Sequence, residues 1–212
     1  GKGVRQDYAQ AAAWYRKAVE QGLAQAQTNL GLMYANGQGV RQDYGQAVAW
    51  YRKAAEQGLA DAQYNLGLMY ADGKGVRQDY AQAVAWYRKA AEQGYAAAQH
   101  NLGLMYADGQ GVPQDYHQAV AWYHKAAEQG NANAQTNLGN MYAEGKGVRQ
   151  DYAQAVAWYR KAYAQGEAKA AYNIGVRYYN GEGVRQNYSI AKEWYGKACD
   201  LGHQQGCDEY RR

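Results

Sequence analysis

Gly73-Lys74-Gly75-Val76-Arg77-Gln78-Asp79-Tyr80 is the stretch that decides the fold. Its Gly-x-Gly-Val core returns as Gly3-Val4, Gly39-Val40, Gly111-Val112, Gly147-Val148 and Gly183-Val184, and the residue numbers advance by 36 each time. No insertion or deletion disturbs the spacing. A fixed period of this size marks a stacked array of small units, each unable to bury its apolar face alone. The expectation is one uninterrupted solenoid over residues 1–212, each unit touching only its neighbours.

Outward from the connector, Asp79 stands at a helix start with Gln82 three residues on, a capping-box-like pair. Ala83, Tyr87, Ala90 and Ala91 follow at helical spacing, flanked by Trp86. Gly94 comes just after the last periodic residue and fits a left-handed C-cap. A second helix opens near Ala96, with Ala98, Leu102, Met105 and Tyr106 as its apolar stripe. Gly103 lies inside it, where glycine costs about 1 kcal/mol relative to alanine. The same glycine recurs as Gly31, Gly67, Gly139 and Gly175. That recurrence points to close backbone contact between neighbouring helices. Asp108-Gly109-Gln110-Gly111-Val112 then breaks the helix and starts the next copy.

The pattern predicts first-type helices near 7–21, 43–57, 79–93, 115–129, 151–165 and 187–201. Second-type helices are predicted near 24–36, 60–72, 96–108, 132–144 and 168–180, with a short last one from about 204. The fold class is all-α.

Composition agrees with such an array. The chain has 212 residues with 23 Tyr, 6 Trp and no Phe, and Ala and Gly are abundant. Small residues let helices approach closely, while Tyr and Trp fill gaps and keep a polar tip. A net charge of +4 is mild, and Lys and Arg recur with the repeat, as in Arg88-Lys89. No stretch approaches a membrane-spanning length. The chain opens inside a repeat without an initiating Met, and is read as a mature or trimmed form, so the lack of a leader gives no argument for the cytosol.

The second and third copies together carry Ala62-Gln63-x-Asn65-Leu66-Gly67-x-x-Tyr70, Gly73-x-Gly75-Val76, Asp79, Ala83, Trp86-Tyr87 and Lys89-Ala90-Ala91 through Gly94. This pattern resembles the Sel1-like repeat family, a relative of the tetratricopeptide repeat. A tetratricopeptide unit runs about 34 residues and lacks this connector. The resemblance covers essentially the whole chain, about six repeats. It implies a right-handed α/α superhelix with a concave inner surface. It also implies a non-enzymatic adaptor or scaffold role, often in bacterial envelope processes or host-cell interaction.

Cys199 and Cys207 are the only cysteines, both in the terminal repeat 183–212. One ends a first-type helix, the other starts the next, and Gly202 turns the chain between them. Such a hairpin can bring the two Cβ atoms within bridging distance. The segment also looks like the helix-pair disulfide of cysteine-rich bacterial Sel1-like proteins, which carry it in nearly every repeat rather than once. A disulfide in an oxidising compartment, worth roughly 2–3 kcal/mol, is set against a pair of reduced thiols in the cytosol. The first is preferred, which places the chain in the periplasm or outside the cell.

Other chemistry fares poorly. Ser189-x-x-Lys192 matches the nucleophile motif of penicillin-recognising enzymes, and the cysteine-rich relatives have been linked to penicillin binding. The companion Ser-Asp-Asn and Lys-Thr-Gly elements are missing. His117 and His124 are seven apart, whereas helical metal pairs prefer four, and no Cys or carboxylate completes a set with them, His100 or His203. Gly-x-Gly-Val lacks the third glycine and preceding strand of a phosphate loop. Arg88, Lys89 and Glu92 mix signs on one helix, against nucleic acid. No catalytic residue, metal or cofactor is expected.

Recognition is expected where the copies differ. On the second-type helices one series reads Thr28, Tyr64, His100, Thr136, Tyr172; another Leu32, Leu68, Leu104, Asn140, Val176; a third Gln25, Asp61, Ala97, Asn133, Lys169. They lie opposite the stripe of Ala98, Leu102 and Tyr106, and the family resemblance puts this helix on the concave surface. Beside them Asn29, Asn65, Asn101, Asn137 and Asn173 never change. This ladder suits the backbone of an extended peptide, or satisfies the neighbouring repeat. Leu68 and Leu104, exposed beside Tyr64 and His100, form an apolar strip suited to a partner segment. On this reading alanine at Tyr64 and His100 weakens binding and spares stability.

The sequence therefore points to a monomeric bacterial adaptor holding a protein or peptide on its concave face. A penicillin-binding or β-lactamase-like enzyme and a cytosolic signalling scaffold are the alternatives.

Overall fold

The computed structural model describes residues 7–212, so the first connector motif, Gly3-Val4, lies outside the described residues. Among the described residues the chain forms twelve α-helices and no strand. The first-type helices are α1 (Tyr8–Glu20), α3 (Tyr44–Glu56), α5 (Tyr80–Glu92), α7 (Tyr116–Glu128), α9 (Tyr152–Tyr163) and α11 (Tyr188–Asp200). The second-type helices are α2 (Ala24–Asn36), α4 (Ala60–Asp72), α6 (Ala96–Asp108), α8 (Ala132–Glu144), α10 (Ala168–Asn180) and the short α12 (Gln204–Arg211). The second-type helices match the predicted spans, and the first-type helices are shorter by a residue or two at each end. Their caps explain the trimming, because in α1, α3, α5 and α7 an Asp and a Gln flank the helix rather than belong to it.

The chain divides into two compact units. The first takes the described residues up to Ala98 with Gln110–Pro113; the second takes Gln99–Gly109 with Gln114–Arg212.

In the first unit, Asp7, Asp43 and Asp79 each accept a hydrogen bond from the backbone N–H three residues on, at 2.9–3.0 Å. This satisfies one of the donors that a helix start leaves open. α3 ends with Gly58 in the left-handed region at φ 91°, and the N–H of Leu59 returns to Ala54 O at 3.3 Å. The reversal lays α4 back beside α3. Ala47, Val48, Tyr51, Ala54, Ala55, Ala62, Leu66 and Met69 close into a core around that hairpin. Trp86, from the following pair, packs against it.

Gly67 in α4 has a specific reason. A Cβ there would stand 2.6 Å from the ring carbons of Tyr87, and Ala83 O is 3.3 Å away. The clearance expected for a neighbouring backbone is therefore taken mainly by an aromatic ring from the next helix pair. Gly31 faces Tyr51 in the same way.

The second unit repeats these devices. Gly175 accommodates Tyr195, with a Cβ falling 2.6 Å from its ring. Asp115 and Asp151 cap α7 and α9. Asn187 does the same for α11, accepting from Ile190 N–H at 3.0 Å. Its core lies around Tyr123, Ala126, Leu138 and Trp158, then around Tyr159, Ala162, Ala170 and Ile174.

Two further ladders run through both units. Gln57, Gln93, Gln129 and Gln165 each donate from Nε2 to the Oε1 of Gln27, Gln63, Gln99 and Gln135, at 2.7–2.9 Å. In each first-type helix, a Lys Nζ sits 3.8–4.8 Å above the ring of the Trp three residues before it, from Lys17 over Trp14 to Lys197 over Trp194. The lysine covers one face of the indole with its charge.

Candidate functional site

In the first unit the variable positions sit on α2 and α4. Tyr64 is half-buried, its ring 5.9 Å from that of Tyr87 and 5.2 Å from that of Tyr95. It fills the joint between α4 and the next first-type helix. Thr28 holds the same place on α2; it is buried, and its hydroxyl returns to Ala24 O at 3.1 Å. Asn65 donates from Nδ2 to Asp61 O at 2.9 Å, one turn back on its own helix. Leu68 packs against the core of the α3–α4 hairpin and is half-buried, not exposed as expected.

At the outer edge, Gln25 spans one period to reach Asp61 Oδ2 at 3.4 Å and also donates to Asn29 Oδ1 at 3.5 Å. Leu32 stays open to solvent at 45% exposure, the one member of its series that does so fully.

In the second unit, His100 on α6 is half-buried and lies 5.9 Å from the ring of Tyr123. Its Nδ1 faces Asn101 Oδ1 at 3.2 Å, and its Nε2 faces Asn137 Nδ2 at 3.1 Å. An amide NH₂ offers only donors, so Nε2 accepts and Nδ1 carries the proton. The imidazole is held neutral: burial pushes its pKa below 6.5, against a smaller raising effect of Asn101. Tyr123 is driven well above the usual phenol value, first by burial and then by Asp108.

Leu104 is half-buried against the core around Tyr123, again not exposed. Asn140 replaces leucine and becomes a junction: its Oδ1 accepts from Tyr159 OH at 2.8 Å and from Asn173 Nδ2 at 3.1 Å. Tyr172 stacks on His203 with ring centres 4.7 Å apart and lies 5.5 Å from Tyr195.

The variable series of Tyr64, His100 and Tyr172 thus abuts the tyrosine of the next first-type helix. Those side chains pack against the next repeat, so alanine there is expected to cost stability as well as any partner contact. The Asn residues are engaged with their own helix or the adjoining one. Of the varied row Gln25, Asp61, Ala97, Asn133 and Lys169, Gln25, Asn133 and Lys169 are exposed, whereas Asp61 and Ala97 are half-buried and Asp61 Oδ1 is buried.

Cys199 and Cys207 form a disulfide with Cα atoms 4.5 Å apart, tying the last turn of α11 to the first turn of α12. His203, between them, caps α12 through Nδ1 at 3.2 Å from Gly206 N.

Ser189 is exposed on the first turn of α11, and among the described residues no hydrogen bond joins it to Lys192. His124 pairs with Glu128 at 3.4 Å and packs edge-on to Trp158. No group of three or more His, Cys, Asp or Glu fit to hold a metal occurs among the described residues. The glutamine and Trp–Lys ladders were not anticipated. A Gln-to-Gln spacing of 30 and a Trp-x-x-Lys motif in every copy were the available signals.

A family model for the Sel1 repeat matches residues 1–23, 24–59, 60–95, 96–131, 132–167 and 168–203 in succession. The chain belongs to the Sel1 repeat family. Sel1 repeat proteins are generally protein–protein interaction scaffolds, typically without catalysis.

Among solved structures, the chain is similar to c5321, a protective antigen present in uropathogenic Escherichia coli strains, which displays the SLR fold. The identity is 44% over 96% of this chain, with a TM-score of 0.91. This chain spans 44% of the length of c5321. A Sel1 repeat protein from Oxalobacter formigenes is 33% identical over 97% of this chain and 87% of its own length, with a TM-score of 0.85. No curated protein matches the chain.

Proposed function

We propose that these Sel1 repeats form a bacterial adaptor that holds a protein or peptide along the second-type helices, outside the cytoplasm. The observation that carries this reading is where the sequence varies. Core positions such as Leu66, Gly67 and Tyr87 recur almost unchanged, while the outer row changes from Gln25 to Asp61, Ala97, Asn133 and Lys169. Stacking demands sameness, so side chains that differ at the edge are free to match a partner. Tyr64, Asn65, Leu68, His100, Asn101, Leu104, Asn137, Asn140, Tyr172 and Asn173 line the floor below that row. They set its shape from below.

The Cys199–Cys207 disulfide favours an oxidising compartment, periplasmic or secreted. Similarity to an antigen of uropathogenic strains fits the same placement and an envelope or host-cell role. Among the described residues no helix is long and apolar enough to cross a membrane. The unbroken spacing of the repeats supports reading 1–212 as a single array, and on this reading its partner is a protein or peptide.

The test is site-specific photocrosslinking in the bacterium. A photoreactive residue at Gln25 or Asn133 on the second-type helices should trap a discrete protein partner, identified by mass spectrometry. The same probe at Ala49 or Ala85 on the first-type helices should trap none. Partners trapped only from the first-type helices would overturn the reading.

A further inference from the structure

One position of the varied row carries a charge that the fold leaves uncompensated. In the first unit, α2 and α4 hold no Lys, Arg or His, although the chain as a whole is basic at +4. Their charged residues are Asp61 and Asp72, and Asp72 pairs with Lys74 at 2.8 Å. Asp61 is half-buried and, among the described residues, in no ion pair. Its Oδ1 is buried with no hydrogen-bond partner. Its Oδ2 accepts from Gln25 alone, at 3.4 Å, longer than a well-formed bond of this kind.

The helix does not require this carboxylate. A negative charge suits the first turn of a helix. Yet Gln25, Ala97, Asn133 and Lys169 stand at the same place in the other copies, and those helices start at the matching residue. A half-buried carboxylate with neither a cation nor full hydrogen bonding costs stability and calls for a reason outside the fold.

Two tyrosines border it. Tyr64 lies one turn on along α4, and its ring is 5.2 Å from that of Tyr95. The Asp61 charge reaches Tyr95 and Tyr51, adding to burial in holding both phenols above their usual value. Tyr95 is half-buried, so part of its ring meets solvent. The first copy has Gln25, Thr28 and Leu59 at the matching places, and no other copy joins a carboxylate to an aromatic ring there.

A carboxylate beside an electron-rich ring suits a cation with a flat face. A guanidinium pairs with the carboxylate and lays its plane on the ring, whereas an ammonium is more strongly hydrated and has no plane to stack. We propose that Asp61 and Tyr95 take an arginine side chain of the partner, its guanidinium displacing Gln25 from Oδ2. This rests on the second-type helices being the partner face, and it makes the partner segment over α2 and α4 a basic one.

The test is NMR titration of the whole chain with acetyl-Gly-Arg-Gly-amide, and with the same peptide carrying lysine or neutral citrulline in place of arginine. The amide signals of Asp61, Tyr64 and Tyr95 should shift and saturate with the arginine peptide, and bind citrulline about tenfold more weakly. Asp61→Gln should weaken the arginine peptide about tenfold and Tyr95→Leu about threefold. Asp72→Asn removes the same charge about 16 Å along α4 and should weaken it less than about twofold. Gln and Leu already stand at 25 and 59, so both variants should fold, and Asp61→Gln should melt no lower than the wild type. A marked loss of stability in Asp61→Gln would make the carboxylate part of the fold and overturn the proposal. So would lysine binding as tightly as arginine, equal loss in Asp61→Gln and Asp72→Asn, or no saturable shift in the wild type. Photocrosslinking separates such a failure from failure of the face. A partner trapped from Gln25 or Asn133 keeps the face when no arginine shift is seen, and a partner trapped only from the first-type helices removes the face and its arginine site together.

Discussion

Gln93 reaches back thirty residues to donate from Nε2 to Oε1 of Gln63, at 2.7 Å, while Gln63 Nε2 donates to Ala55 O at 3.2 Å. Gln63 is 4% exposed and Gln93 is exposed. One amide thus ties three successive helices, and the bond is laid where water is scarce on one side only. Replacing Gln63 with alanine leaves Ala55 O without its side-chain donor and opens a gap. The expected loss is about 1–3 kcal/mol in urea unfolding. Gln93→Ala removes the exposed partner and should cost less, about 1 kcal/mol or below. A double-mutant cycle should show coupling between the two. Purely additive losses would mean that the rung contributes nothing of its own.

Gly67 and Gly45 should respond to alanine with opposite signs. A Cβ on Gly67 meets the Tyr87 ring at 2.6 Å, and that ring is 1% exposed with nowhere to retreat. Overpacking of this kind costs about 1–3 kcal/mol, more than the helical preference for alanine returns. Gly45 lies in the first turn of α3, where a Cβ would meet only Asp43 Oδ1, at 3.2 Å. Alanine stands at the matching position 81 beside an equally good Asp79 cap. Gly45→Ala should therefore stabilise, by up to about 1 kcal/mol. Thermal melts of the two variants check both signs.

His100 should make the fold sensitive to acid. Burial depresses its pKa below 6.5, so the unfolded chain binds the proton first as pH falls. The stability tied to neutral His100 is complete above the unfolded value. It is lost progressively on acidification from about pH 7 towards the lower folded pKa, at up to about 1.4 kcal/mol per pH unit. Protonation also sets an Nε2–H donor against the Asn137 amide. Tyrosine occupies this position as Tyr64 and Tyr172, so His100→Tyr should fold and lack this dependence. The difference in unfolding free energy between wild type and variant, followed from pH 7.5 to 5, should shift towards the variant. A constant difference would place the imidazole in solvent.

The cysteine hairpin should matter most at one end. The disulfide closes a short loop across Gly202, for which chain entropy assigns about 2–3 kcal/mol. Reduction should lower the unfolding midpoint and raise amide exchange first in α12, which has only eight residues and holds to α11. Thiol titration of the native protein without reductant should find no free thiol. Two free thiols would withdraw the main support for a periplasmic or secreted chain.

The helices, caps and turns were legible because each is set by a local residue. Asp79, Gly94 and the Gly109–Gly111 connector state their purpose within a few positions. Gly67 was legible as a close approach but not as the seat of a ring, since Tyr87 lies in the next pair and no local period names it. The face was harder. Tyr64 and His100 vary between copies, and variation alone does not separate a surface residue from a spacer between neighbouring helices. In the structure they rest on Tyr87 and Tyr123, so the variable set divides into a packed floor and an outer row headed by Gln25. The glutamine rungs are not legible in the sequence, because a glutamine looks like any solvated side chain until the amide that faces it is known.

Alkali should probe the tyrosine column that fills these joints. Burial raises Tyr51 to about 12, aided by Asp61, and raises Tyr195 to about 12. Tyr123 and Tyr159 move in the same direction, again chiefly through burial. An unfolded tyrosine ionises near 10. The stability these phenols contribute is therefore fully present below about pH 10 and is lost as pH rises through the folded values, because the unfolded chain gives up its protons first. Absorbance at the phenolate band should show a large late fraction titrating together with loss of helicity. Tyr51→Phe removes one of these protons and keeps the ring, so it should ease the alkaline transition without weakening the fold at neutral pH by more than about 1 kcal/mol. If all tyrosines titrate near 10 before the helices melt, the column is open to water and the joints are looser than the rings imply.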